Sequence, residues 1–364
     1  MTTQEHDDQD EQEEMDPGLV AGWEALESGD LEAARAAAKA YPQDGPLRVE
    51  ALMLEAACQR EEGDRDTALE TLAKAAEAEP DWATPELWMA EMLLDDAERL
   101  EEALTHAERA LDRAEEEDEY LSALSTKAAI ELSLERPAEA RKTLKELPPA
   151  ETVLEDMSMA LDLAQLLLEA GNVGDARARL ETLVKAAPDD ADAWYFLGVA
   201  AEAGGEEDRK RAAWLKAREL DIADAEHHAH HHHQDAGDGD HGHEHLTEDT
   251  LIDVAEETLE EMPPQFRELL SNVPIVVAER PALADVEAGM DPRILGLFTG
   301  SPLGEAGSTG DVPGVTEIVL FRQNIERVAG DEDELRDEIR VTLLHEAGHF
   351  FGLDEDGLER VGLD

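Results

Sequence analysis

Between Pro17 and about Asp224, apolar residues recur three and four positions apart and are interrupted at intervals by Gly or Pro, which predicts amphipathic helices joined by tight turns. The segment EGDRDTALETLAKAAEAEP carries Gly63, Ala68, Leu72, Ala75 and Pro80. AGNVGDARARLETLVKAAP carries Gly171, Ala176, Leu180, Leu183 and Pro188 at the same offsets. In that frame small residues fall at Ala34, Ala68, Ala103, Ala140 and Ala176, at intervals of 34, 35, 37 and 36 residues. Farther on the period changes. LTEDTLIDVAEETLEEM predicts an amphipathic helix with Thr247 as its N-cap, stopped at Pro263-Pro264, and QFRELLSN predicts a short second helix. VPIVVAE (273–279), LGLFTG (295–300) and EIVLFR (317–322) read as strands, with EIVLFR as the candidate sheet edge. A last long helix is expected from Asp331, where Asp331 and Glu334 resemble a capping box, to about Phe351. Leu335, Ile339, Leu343 and Phe350 form its core stripe.

These patterns divide the chain. Residues 1–16 form an acidic tail expected to be disordered, 17–224 the helical repeats, 225–246 a linker, and 247–364 a small α/β (α+β) domain. The fold class is thus multidomain, an all-α solenoid followed by a short sheet with helices. The linker holds nine of the 13 histidines: His227, His228, His230, His231, His232, His233, His241, His243 and His245. Interleaved with Asp and Gly, they predict a flexible tether, and imidazoles at that density bind zinc, nickel or copper loosely. The tether either collects metal for the domain behind it or is simply a solvated linker. The Gly/Pro-rich stretch 301–314 joins two strands and is read as a lid over the site, with a plain long connection as the alternative.

Composition narrows the partners. With 91 acidic and 30 basic residues the chain carries a formal charge of −61, which disfavours nucleic acid and anionic membranes. Cys58 is the single cysteine, so no internal disulfide forms and it reads as a small core residue of a chain in a reducing compartment. The first residues show neither the basic nor the apolar region of a signal peptide, and no apolar run approaches the roughly 18 residues of a membrane span. A cytoplasmic location is expected.

The chemistry concentrates in TLLHEAGHFFGLDED, residues 342–356. His345 and His349 are four apart on the last helix, so both imidazoles leave one face and can converge on one ion. Glu346 lies at the edge of that face, where it can act as general base on a metal-activated water attacking a carbonyl. Gly352 is placed to end the helix and turn the chain back. Beyond it, Asp354, Glu355 and Asp356 offer oxygen ligands to complete a two-His-one-carboxylate site. Zinc suits this donor set, and Mn, Fe or Ni could also occupy it.

Two resemblances extend this reading. The spacing of small residues, together with Trp194, Leu197, Gly198, Trp214 and Ala217, resembles the tetratricopeptide repeat over about six units. The last unit departs, with Lys210 where a small residue is expected and a Gly204-Gly205 turn. That resemblance implies a concave surface binding peptides or partner proteins. Residues 246–364 resemble the small zincin-like metallopeptidases of bacteria, whose pattern is His-Glu-x-x-His-x-x-Gly-x-x-Asp. His345, Glu346, His349 and Gly352 match it, and Glu355 stands at the Asp position, with Asp356 and Asp354 as alternatives. The resemblance implies peptide-bond hydrolysis of a peptide or protein substrate. Two other readings stay open: an adaptor with a catalytically silent metal-binding domain, and a metal-handling protein that uses the tether.

Overall fold

The computed structural model describes residues 16–42, 44–154, 156–232, 248–300, 316–329, 331–354, 357 and 360. The expected acidic tail, apart from Asp16, and the lid lie outside the described residues. So do Thr247 and the linker beyond His232. The chain forms two compact units, 1–182 and 183–364.

The first unit is a tetratricopeptide-like solenoid of paired helices. They are α1 (Pro17–Glu27), α2 (Leu31–Lys39), α3 (Arg48–Glu61), α4 (Arg65–Ala78), α5 (Thr84–Leu94), α6 (Leu100–Arg113), α7 (Glu117–Ser133), α8 (Pro137–Thr143) and α9 (Met157–Glu169). The helix α10 (Val173–Ala186) follows and runs across the unit boundary. Asp30, Asp64 and Asp156 cap α2, α4 and α9, each accepting from the amide three residues on. The framing alanines Ala34, Ala68, Ala103, Ala140 and Ala176 are all 0% exposed. Each is small enough to let neighbouring helices approach closely, so the alanine period is the packing period. Its longest interval, 37 residues, spans the 17-residue α7, the longest of these ten helices. Cys58 is a buried free thiol in the core with Leu54 and Ala51, and burial pushes its pKa up.

The second unit begins with a helical hairpin, α11 (Ala191–Ala203) and α12 (Glu207–His232). Buried Trp214 of α12 fills the gap against Gly198 of α11. Lys210, the departure from the small-residue period, is 7% exposed. Its ammonium pairs with Glu202 at 3.2 Å and Glu207 at 3.0 Å and lies over the Trp214 ring, so its charge is matched while its stem packs. α12 continues past Asp224 to His232, into the segment expected as linker. Ala225, Glu226 and Ala229 are good helix formers, and extending an existing helix needs no new nucleus.

The remaining elements are α13 (Glu248–Glu261), α14 (Pro264–Leu270), β1 (Ile275–Ala278), α15 (Leu283–Glu287), β2 (Gly296–Thr299), β3 (Glu317–Phe321), α16 (Arg322–Val328) and α17 (Glu332–Phe350). The sheet order is β1-β3-β2, with β1 parallel and β2 antiparallel to β3. This corrects one expectation: EIVLFR is the central strand rather than an edge. Ile318 and Leu320 share its buried face, in one cluster with Leu251 and Val254 of α13 and Ile339, Leu343 and Phe350 of α17. A strand this apolar is satisfied by neighbours on both sides. Leu335 packs at the margin of the same cluster, so the core stripe stands as expected. Two short helices, α15 and α16, had no strong sequence signal.

Candidate metal centre

The site is built on the last third of α17. Asp331 caps that helix, accepting from the Glu334 amide at 2.9 Å. The apolar stripe fixes its rotation, because Ile339, Leu343 and Ala347 are all buried against the sheet and α13. The opposite flank therefore turns His345 and His349 into a cleft of about 810 Å³, whose walls include Leu295, Leu297, Phe298, Val341 and Leu353.

The two imidazoles converge: His345 Nε2 and His349 Nε2 are 3.2 Å apart. Two imidazole nitrogens sharing one tetrahedral zinc at 2.0–2.1 Å would be about 3.3 Å apart, so the pair fits a zinc ion. A second contact strengthens this. The αL residue Gly352 (φ 84°) ends the helix, and Leu353 N–H closes back on the Gly348 carbonyl at 3.1 Å. That turn brings the Leu353 carbonyl to 3.0 Å from His349 Nδ1. A carbonyl only accepts, so Nδ1 carries the proton and Nε2 presents a lone pair to the cleft.

Glu346 is 7% exposed, and its Oε2 accepts from the Phe298 amide of β2 at 2.5 Å. β2 is an outer strand of the sheet, so this N–H points away from β3 and is spent on the carboxylate. Gly296 makes the approach possible: a Cβ there would lie 2.7 Å from Thr342 Cγ2 and 2.9 Å from Glu346 Cγ. Neither the Leu353 carbonyl nor the Phe298 amide is visible in the sequence, since both act through backbone atoms. The Gly296 requirement could have been suspected from a glycine inside an apolar strand.

Of the expected carboxylates, Asp354 borders the cleft, and its Oδ1 accepts from the Gly357 amide at 3.0 Å. Glu355 and Asp356 lie outside the described residues, and among the described residues no group of three metal-ligating side chains comes together. Of the tether histidines, His227 is exposed on α12. His228, His230, His231 and His232 continue that helix with side chains outside the described set, and His233, His241, His243 and His245 lie outside it entirely.

Comparison with known proteins agrees with both halves. The profile of the Zincin-like metallopeptidase family matches residues 270–363. The Tetratricopeptide repeat profile matches 19–81 and 161–225. No curated protein matches the chain significantly. Similar solved structures include PilW, a widely conserved type IV pilus biogenesis factor, at 18% identity and TM-score 0.44, covering 55% of this chain and 90% of that one. PilF of Pseudomonas aeruginosa is also 18% identical, with TM-score 0.44 and coverage of 59% and 96%. YrrB, a tetratricopeptide protein with an unusual peptide-binding site, is 19% identical, with TM-score 0.39 and coverage of 55% and 92%. The chain thus carries tetratricopeptide repeats and, behind them, a zincin-like metallopeptidase domain.

Proposed function

We propose that the protein is a zinc-dependent peptidase whose repeats recruit a protein partner or substrate. The observation that carries this reading is the 3.2 Å convergence of His345 and His349 Nε2 beside the buried carboxylate of Glu346. His345 and His349 would hold the ion, with a third ligand from Glu355, Asp356 or Asp354. When bound, such an ion supplies Lewis acidity and lowers the pKa of a coordinated water towards about 7.

The chain's own residues do the rest. The Leu353 carbonyl keeps His349 in the ligating tautomer. Glu346 takes a proton at the oxygen not held by Phe298 and returns it to the leaving amine. An extended peptide lies along the wall of the cleft that β2 forms, and Leu297, Phe298, Val341 and Leu353 keep the cleft apolar and limit the entry of bulk water. The tetratricopeptide repeats supply the protein-binding half of the reading. No described helix is long and apolar enough to cross a membrane, and the single cysteine accords with a cytoplasmic setting.

The test is bound zinc and peptide-library cleavage for wild type and Glu346→Gln. The variant keeps zinc and loses cleavage by about 10²-fold or more, the usual size of general-base catalysis. Wild type that binds zinc yet cleaves nothing would transfer the protein to the adaptor class.

A further inference from the structure

One cluster of charge lies outside the metal site and takes no part in the chemistry above. It joins the hairpin α11–α12 to the segment that leads into β2. Arg293, whose side chain is 11% exposed, reaches Asp221 of α12 through Nε at 3.1 Å and Nη2 at 3.0 Å, a two-pronged pair. Its remaining amine, Nη1, lies 2.7 Å from Asp192 of α11. The guanidinium stacks over the Tyr195 ring at 4.4 Å. The Tyr195 hydroxyl donates to Asp291 at 2.9 Å, and the other Asp291 oxygen accepts from the Arg293 amide at 2.7 Å. Arg327 of α16 adds a second cation, 2.6 Å from Asp221. Farther along, Arg218 of α12 donates to the Pro281 carbonyl at 3.3 Å.

The same segment is held from its other side. Buried Asn324 of α16 donates to the carbonyls of Pro292 at 2.9 Å and Ile294 at 2.7 Å. Residues 291–294 are therefore gripped between the last helical hairpin and α16, and two residues later the chain is β2. That strand carries the Phe298 amide bonded to Glu346, and Leu295 to Phe298 line the cleft. A surface ion pair adds little, but a nearly buried guanidinium with two carboxylates and an aromatic face is costly to disturb.

We propose that the hairpin α11–α12 is a built-in part of the catalytic unit, and that Arg293 is a positioning residue that fixes β2 for substrate binding. This rests on the peptidase reading only in the words "substrate binding". The position of β2 itself is tested without it. The consequence is that the last repeat is committed to the C-terminal domain, and anything that displaces that hairpin loosens one wall of the cleft.

The experiment uses the full chain as wild type, Arg293→Met and the milder Asp221→Asn, which leaves Arg293 its pair with Asp192. Three quantities are read: amide hydrogen exchange at residues 295–299, bound zinc, and steady-state peptide cleavage. In Arg293→Met, exchange in β2 rises by about tenfold or more while zinc content is unchanged. KM rises several-fold, and kcat per folded, zinc-loaded enzyme falls by no more than KM rises, through the loosened Phe298–Glu346 bond, because α17 still holds His345 and His349. Asp221→Asn lies between the two. A merely structural role gives the opposite split, with apparent kcat falling as less protein folds and KM unchanged, and that result overturns the proposal. So does β2 exchange that matches wild type in both variants. If wild type cleaves nothing, the peptidase reading fails, and the exchange arm still decides the clamp.

Discussion

Leu353 acts through its backbone oxygen, which fixes the tautomer of His349, and Phe298 acts through its amide, which holds Glu346. Both depend on a neighbouring glycine. Gly352 lets the chain turn left-handed after α17, and Gly296 leaves room for Thr342 and Glu346 against β2. Gly296→Ala should therefore cost about 1–3 kcal/mol of stability, the usual penalty of overpacking. It should also reduce cleavage by about 10²-fold, since a small displacement of Glu346 is expensive. Thermal denaturation and cleavage assays with zinc quantified separate the two effects. A variant as stable and active as wild type would mean that β2 and α17 are not in this contact. At this scale the convergence of His345 and His349, with Glu346 beside them, was legible in the sequence, because a four-residue spacing on a helix is a geometric statement. The backbone partners, an accepting carbonyl and a donating amide, were not, because every residue but proline has the same N–H and C=O.

Among the elements, α17 shows most directly how one pattern serves two ends. Its buried face, with Leu343 0% exposed, holds the core, and Val341, 42% exposed, lines the cleft. Leu343→Ala should cost about 2–5 kcal/mol by leaving a cavity. Val341→Ala should stay within about 0.5 kcal/mol and show its effect in KM alone. Chemical denaturation of the two variants checks this, and similar losses in both would contradict the assigned rotation of the helix. The same pattern, read as a strand in EIVLFR, gave the right element in the wrong place. Alternation at Ile318 and Leu320 reports one buried face, and says nothing about whether a strand has one neighbour or two. α15 and α16 have 5 and 7 residues, too short for a helical period to stand out.

On the scale of the whole molecule, charge dominates. A formal charge of −61 makes the folded chain repel itself, so raising NaCl from about 0.05 M to about 1 M should raise the melting temperature. A flat or falling melting temperature, measured at fixed zinc, would show instead that ion pairs such as Arg293 with Asp221 outweigh the repulsion. The sequence by itself determined the repeat period, the apolar faces of the helices and strands, and the histidine pair, because all of these are fixed by local spacing along one element. Only the tertiary structure decided that β3 is central, that Glu346 bonds to β2, and that Asp192, Tyr195 and Asp221 meet Asp291 and Arg293. The partners in these last contacts are 72 to 101 positions apart in the sequence. Their meeting is set by how whole elements pack, and a local pattern carries no record of which distant surface will be its neighbour.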